Sequence, residues 1–197
     1  MKDSYYHLSD ELKLRMAPQY NFVLDDASND AKPGGYTQSV DLSKQGGHLE
    51  RAEGNVLLFG NEYDSGGAGI ITSVSDYGRF ANALANGGIG ATGERILSKY
   101  AINLLRQNQL KESQMENFNW SQLSGYGYGL GVRTMINQAS GGSMSQTGEF
   151  GWGGAAGASI YVDPDINLGV FYAHHMLNQQ ESYYQPRLRN VIYSCLD

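Results

Sequence analysis

The sequence predicts an α+β fold, an antiparallel sheet flanked by helices. Two apolar runs, Ala158 to Val162 and Ile166 to Ala173, flank the turn residues Asp163-Pro164-Asp165, which is the pattern of a β-hairpin. Helical spacing of apolar residues marks two stretches before that hairpin and one after it, each bounded by caps or glycines. The chain has 197 residues, 41% hydrophobic and 17% charged, enough for one globular domain with a sizeable core.

Residues 1–65 are polar and irregular. Ser9 caps a short helix that ends before Pro18, and Tyr20 to Leu24 reads as a strand. Lys32-Pro33-Gly34-Gly35 carries turn chemistry. A long loop of this kind inside a compact domain is usually functional or disordered. The clearest helix follows Ser73, an N-cap with Asp76 three residues on. Tyr77, Phe80, Ala81, Leu84 and Ala85 form its apolar face, and Gly87-Gly88 stops it. A second helix starts at Ser98 and is expected to bury Ala101, Ile102, Leu104 and Leu105. Gly127 to Met135 reads as one strand, with Gly141-Gly142 in the loop after it. The hairpin strands are apolar on both faces, as central strands are. The last helix, about Ser182 to Cys195, is expected to pack on the sheet through Tyr184, Leu188, Val191, Ile192 and Cys195.

Composition excludes some function classes. A net charge of −6 argues against nucleic-acid binding, which needs a basic patch. No apolar run approaches the ~20 residues of a membrane span, and the first residues lack the apolar core of a signal peptide. Cys195 is the single cysteine, so no intrachain disulfide forms. Glycine, at 26 residues, is roughly twice its usual share.

Several residue groups resemble sites and are better explained otherwise. His174 and His175 are adjacent on a strand and point to opposite faces, so they do not suit one metal. Asp25, Asp26, Asn29 and Asp30 imitate a calcium loop without its sixth-position glycine or closing glutamate. Asp163 and Asp165 bracket a turn. CxxC, GxxxxGK[ST], HExxH and GxSxG are all absent. What remains is Gly148 to Gly157, with five glycines and Trp152 in ten residues. Glycines at the start of a strand let another molecule approach the backbone.

Five segments, in order, resemble the serine β-lactamase-like hydrolases, which include class C β-lactamases, family VIII carboxylesterases and penicillin-binding-protein-like peptidases. Met1-Lys2-Asp3-Ser4 is similar to the family's "GMKDT" segment. Gly67 to Phe80 is similar to "GGLxSTAxDYARF", and Gly93 to Ser98 to "GxRILS". Tyr126 to Gly131 matches "GYGLG". Phe150 to Gly157, running on to Val162-Asp163-Pro164, resembles the esterase-like "FGWGGAAG…VDP" form.

The resemblance implies that Trp152-Gly153-Gly154 replaces K-T-G, the third motif, and contacts substrate. It also implies that Ala155 offers its backbone N–H to an oxyanion, since acyl transfer develops negative charge on oxygen. Trp152 in place of lysine favours ester-like or neutral acyl substrates. Gln146-Thr147-Gly148 is a weaker second register for the motif. The family nucleophile is the serine of S-x-x-K, but no serine here has lysine three residues later. Tyr20, followed by Phe22 two residues on, does not supply the second motif.

Residues 1–197 are therefore expected to be the C-terminal part of a single domain, with 1–65 lining the active site and 66–197 carrying helices, sheet and final helix. The expected partners are a small-molecule or peptide acyl substrate and the missing N-terminal half. No nucleic acid, cofactor or metal is expected. Self-association through an open sheet edge is anticipated. Alone, the chain is expected to be inactive. A reading from another class is a non-catalytic ligand- or peptide-binding domain that retains the hydrolase fold.

Overall fold

The computed structural model describes residues 1–25, 46–55, 58, 63–118, 120–177 and 180–196. In chain order the elements are β1 (Ser4–Tyr5), α1 (Asp10–Lys13), β2 (Tyr20–Leu24), β3 (Gly47–Arg51), β4 (Ile71–Thr72), α2 (Val74–Ala85), α3 (Lys99–Leu105) and α4 (Glu112–Met115). There follow β5 (Tyr126–Tyr128), β6 (Arg133–Met135), α5 (Gln138–Gly141), β7 (Phe150–Gly153), β8 (Ser159–Asp163), β9 (Leu168–Tyr172), β10 (Met176–Leu177) and α6 (Glu181–Ser194). The main sheet has the order β5-β6-β7-β8-β9, antiparallel throughout. A smaller sheet, β10-β2-β3, stands beside it, and β1 pairs with β4. The α+β architecture with antiparallel sheet and flanking helices is the expected one. The turn at Lys32–Gly35 lies outside the described residues.

Local chemistry explains where the helices begin. Ser73 accepts from the Asp76 N–H at 3.1 Å, and Ser98 accepts from the Ala101 N–H at 3.0 Å. Each side chain satisfies an amide that the first helical turn leaves without a partner. The Asp76 carboxylate in turn accepts the Asp3 N–H at 2.6 Å, while Ser73 donates its N–H to the Asp3 carbonyl. The Met1–Ser4 segment is thus docked on the start of α2.

The main sheet has two unlike faces. On one, α2 and α3 cover Phe150, Ile160 and Val162, and Leu84, Ala85 and Ile102 complete an apolar core. On the other, α6 lies over Arg133, Glu149, Ser159, Tyr161 and Asp163, all but Tyr161 polar or charged and all buried. The expectation that the hairpin strands are apolar on both faces is corrected accordingly. In β8 the period of two sends Ile160 and Val162 to the apolar side and Ser159, Tyr161 and Asp163 to the polar one. β9 is an outer strand, half-buried along its length.

Four further expectations are corrected. Gly127 to Met135 is not one strand but the hairpin β5–β6, because Gly131 adopts φ 80° and Gly129 donates to the Val132 carbonyl at 2.7 Å. Gly141 ends the short helix α5, and Gly142 is its left-handed cap at φ 58°. In α3, Ile102 is buried and Leu105, three residues on, packs against the same core, but Leu104 is 51% exposed, since it lies off the face that positions three apart share. In α6 the buried positions are Gln185, Arg189 and Tyr193, four residues apart. Val191 and Cys195 face solvent, because the helix rests on a polar surface.

Candidate active site

The site is built on β7 and the turn after it. Strand β6 pairs with β7 only at Phe150 and Gly151, whereas β8 pairs with it through Gly153. Trp152 and Gly153 therefore have no strand beside them on the β6 side among the described residues. Gly154 donates its N–H to the Ala158 carbonyl of the β8 side at 2.7 Å. Successive strand amides point to opposite edges, so the Gly153 N–H points to the free side. Gly157 donates to the Gly154 carbonyl at 2.9 Å. This closes a four-residue turn with Ala155 at its second position, exposed. Among the described residues, no group accepts from the Ala155 N–H.

The turn is held from behind. Met176 donates its N–H to the Ala156 carbonyl at 3.1 Å, tying the turn to β10. The His174 ring lies where a side chain on Gly157 would stand, and Gly157 has φ 90°. Only glycine fits there. His174 Nδ1 meets the Tyr172 hydroxyl at 3.1 Å, and its ring centroid is 5.1 Å from that of Tyr184. Burial pushes the His174 imidazole below the ordinary histidine value, so it is neutral at pH ~7. Tyr20, Leu49, Tyr172, His174 and Tyr184 line a recess of about 320 Å³ beside the turn.

Beneath β7 lies a buried charged layer. Arg133 Nη2 donates to Glu149 Oε1 at 3.1 Å, and the Tyr126 hydroxyl donates to Glu149 Oε2. The guanidinium of Arg133 lies 5.0 Å from the Tyr126 ring centre and 5.1 Å from that of Tyr161. That of Arg189 lies 5.3 and 5.8 Å from the same two rings. Tyrosine faces thus supply part of the negative potential that two buried cations need. Burial, followed by the Glu149 charge, pushes the Tyr126 hydroxyl well above its usual range, so it stays a donor.

Of the residues singled out by sequence, Trp152, Gly153, Gly154 and Ala155 form one continuous strand end and turn. Gln146-Thr147-Gly148 lies apart, in a turn closed by the Glu149 N–H on the Gln146 carbonyl at 3.0 Å. His174 and His175 diverge: His175 Nδ1 faces the Ala17 carbonyl at 3.0 Å. Among the described residues no group of histidine, cysteine, aspartate and glutamate side chains suits a metal ion. Of the calcium-like loop, Asp26, Asn29 and Asp30 lie outside the described residues. Sequence reasoning missed Tyr128, whose ring meets Trp152 edge-to-face at 5.3 Å. It also missed the pairing of Arg133 with Glu149, for which no local motif exists.

The five family-like segments occupy consistent places: the Met1–Ser4 segment on α2, Gly93–Ser98 against the end of α2, Tyr126–Gly131 in the β5 turn, and Phe150–Gly157 at the site. A family model described as Beta-lactamase matches residues 1–191. The chain belongs to the beta-lactamase family. Its fold is also that of several solved structures. EstCE1, "a hydrolase with promiscuous acyltransferase activity", aligns over 98% of this chain and 47% of its own, at 19% identity and TM-score 0.68. Simvastatin synthase (LovD) from Aspergillus terreus aligns over 100% of this chain and 46% of its own, at 17% identity and TM-score 0.70. A penicillin-binding protein homolog from Caulobacter crescentus aligns over 98% and 48%, at 16% identity and TM-score 0.59. This beta-lactamase-family chain therefore spans about half the length of the structures it resembles. None of the curated protein sequences compared with it matches.

Proposed function

We propose that this chain forms the oxyanion-binding wall of a serine hydrolase that transfers an acyl group from an ester-like substrate to water. The observation that carries the reading is the free side of β7: the Gly153 N–H points to the side without a strand, and Ala155, an exposed residue, follows it in the turn. A carbonyl oxygen placed there gains charge as a nucleophile adds to the carbonyl carbon, and amides already in position stabilise it without rearrangement. Trp152 and Gly154 complete the substrate-binding edge, with Trp152 bringing an uncharged ring where the family pattern has a lysine. The nucleophile and base lie outside these 197 residues, because no S-x-x-K occurs among them, and the chain alone is inactive. The outer edge of β9, the last strand in the order β5-β6-β7-β8-β9, is where the region carrying the nucleophile, or a second copy of the chain, adds.

The test is an ester-hydrolysis assay of the chain alone and of the chain co-expressed with the reading frame upstream of Met1. Serine-dependent turnover only in the second case supports the reading. Serine-dependent turnover by the chain alone, or none in a well-folded combination that contains S-x-x-K, overturns it.

A further inference from the structure

His174 lies against the turn after β7 at the end away from Trp152. Its Nε2, Cδ2 and Cε1 atoms crowd the face of Gly157 that would carry a side chain, with Nε2 nearest. Nε2 is shut off from solvent and has no hydrogen-bond partner. The other nitrogen, Nδ1, lies 3.1 Å from the Tyr172 hydroxyl. This asymmetry selects one form of the neutral ring. A proton on Nε2 would be a buried donor without an acceptor, which folded proteins avoid. The neutral ring therefore carries its proton on Nδ1, donates it to the Tyr172 oxygen, and presents a bare Nε2 to Gly157.

A second proton has only Nε2 to go to, and its surroundings do not receive it. From β9 the ring meets the Tyr172 hydroxyl, and from α6 the Tyr184 ring. Tyr20 of β2, Leu49 of β3 and Met176 of β10 line the rest of the recess. Arg51 shares the Leu49 face of β3, two residues on, and adds a like charge. His175 turns away to the Ala17 carbonyl. On α6, Glu181 stands behind Gly153, where its Oε1 accepts from Gln185 Nε2 at 2.6 Å. Among the described residues no carboxylate meets the His174 ring. Burial pushes its imidazole below 6.5, as it does any ring without a counter-charge.

We infer that His174 is an acid-released latch on the Gly154–Gly157 turn. The neutral ring packs on Gly157 and holds the turn from behind. The protonated ring has an N–H aimed at a Cα, so it rotates until that N–H reaches water in the recess, and Gly157 loses its backing. Gly157 donates its N–H to the Gly154 carbonyl, and Met176 donates to the Ala156 carbonyl. Both bonds belong to the turn and loosen together, and the position of Ala155 between them loosens as well. The latch rests on the contact of His174 with Gly157, while its consequence for catalysis rests on the hydrolase reading above.

The experiment follows the nitrogen-15-labelled chain by nuclear magnetic resonance as the pH is lowered, and needs no turnover. Histidine ring spectra give the His174 tautomer and its titration midpoint, and amide hydrogen exchange gives the protection of single N–H groups. The expected neutral ring has its proton on Nδ1, and its midpoint lies below 6.5. Through that midpoint the protection factors of the Gly157 and Met176 amides fall by about tenfold or more. The Tyr77 amide, held by the Ser73 carbonyl at the start of α2, keeps its protection. In His174→Phe, all three amides keep theirs across the range; His174→Gln replaces that variant if it does not fold. A neutral ring protonated on Nε2, or an imidazole that does not titrate while the chain is folded, overturns the inference. So does a loss of protection shared equally by Tyr77, or one that persists in the folded variant. The two readings fail separately: unchanged Gly157 and Met176 amides remove the latch and leave the hydrolase, whereas a folded co-expressed protein without ester hydrolysis removes the hydrolase and leaves the latch.

Discussion

Arg133 and Glu149 form an ion pair at 3.1 Å with side chains only 1% and 0% exposed, directly under the strand that carries the third motif. Two buried guanidiniums, Arg133 and Arg189, and two buried carboxylates, Glu149 and Asp163, lie in this layer. Removing one partner of a buried pair leaves an uncompensated charge, whereas replacing both by apolar groups removes the cost of burying either. Glu149→Ala is expected to lower stability by about 3–5 kcal/mol. The pair Arg133→Met with Glu149→Leu is expected to recover most of that loss. Urea unfolding of the three proteins checks this, and a double variant less stable than Glu149→Ala contradicts it.

The same layer makes Gly151 irreplaceable. A methyl group there would overlap the Ile160 carbonyl oxygen and stand 3.1 Å from Arg133 Nη1. The first obstacle is backbone held in the β7–β8 ladder, which cannot swing away as a side chain can. Gly151→Ala is expected to cost about 3 kcal/mol, the upper end for overpacking a core. Gly78→Ala, on α2 with open space around its Cα, is expected to stabilise by up to about 1 kcal/mol. Thermal unfolding of both variants tests the contrast.

His174 makes the turn beside Ala155 sensitive to acid. Burial holds its imidazole below the ordinary value of 6.5, with the Tyr172 hydroxyl and the Tyr184 ring against it. The unfolded chain takes up a proton near the ordinary value, and the folded chain only at lower pH. In that window the unfolded state binds more protons, so stability falls as pH falls, while above it His174 contributes no slope. Between about pH 7 and pH 5 the native protein is expected to lose more stability than His174→Phe. Equal slopes in denaturant titrations across that range contradict this.

The parts of the fold that sequence made legible are those set by local chemistry. Ser73 and Ser98 announce their helices because a capping side chain and the amide it serves are three residues apart. Asp163-Pro164-Asp165 announces the hairpin, and Asp163 indeed accepts the Asp165 N–H at 3.2 Å. The strand Tyr20–Leu24 was legible from its β-forming residues. What stayed hidden depends on residues distant in sequence. Hydrophobic periodicity assigns α6 an apolar face, but the sheet beneath it is polar. Gln185 therefore turns inward to Ser159 at 3.0 Å and Tyr193 to Asp163 at 2.8 Å. At the site, Trp152 to Ala155 was legible from glycine spacing and family resemblance. The ring beside it was not: Tyr128 precedes Trp152 by more than 20 residues and meets it edge-to-face across the sheet edge.

Ala155 offers a test that separates its amide from its side chain. Proline at this position removes the N–H and nothing else of consequence. Ala155 is the second residue of the turn closed by Gly157 on Gly154, where the fixed φ of proline is favoured. Gly154, with no side chain, accommodates the backbone required before proline. In the co-expressed, active protein, Ala155→Pro is expected to lower kcat by about 100- to 1,000-fold, the loss typical of one oxyanion donor. KM is expected to change little, because the donor acts on charge that develops after binding. Ala155→Gly keeps the N–H and is expected to keep most of the rate. Stopped assays of the two variants, with circular dichroism to confirm folding, give the comparison. A folded Ala155→Pro protein with native kcat would mean that the oxyanion is held elsewhere, and that the amide at this turn serves another purpose.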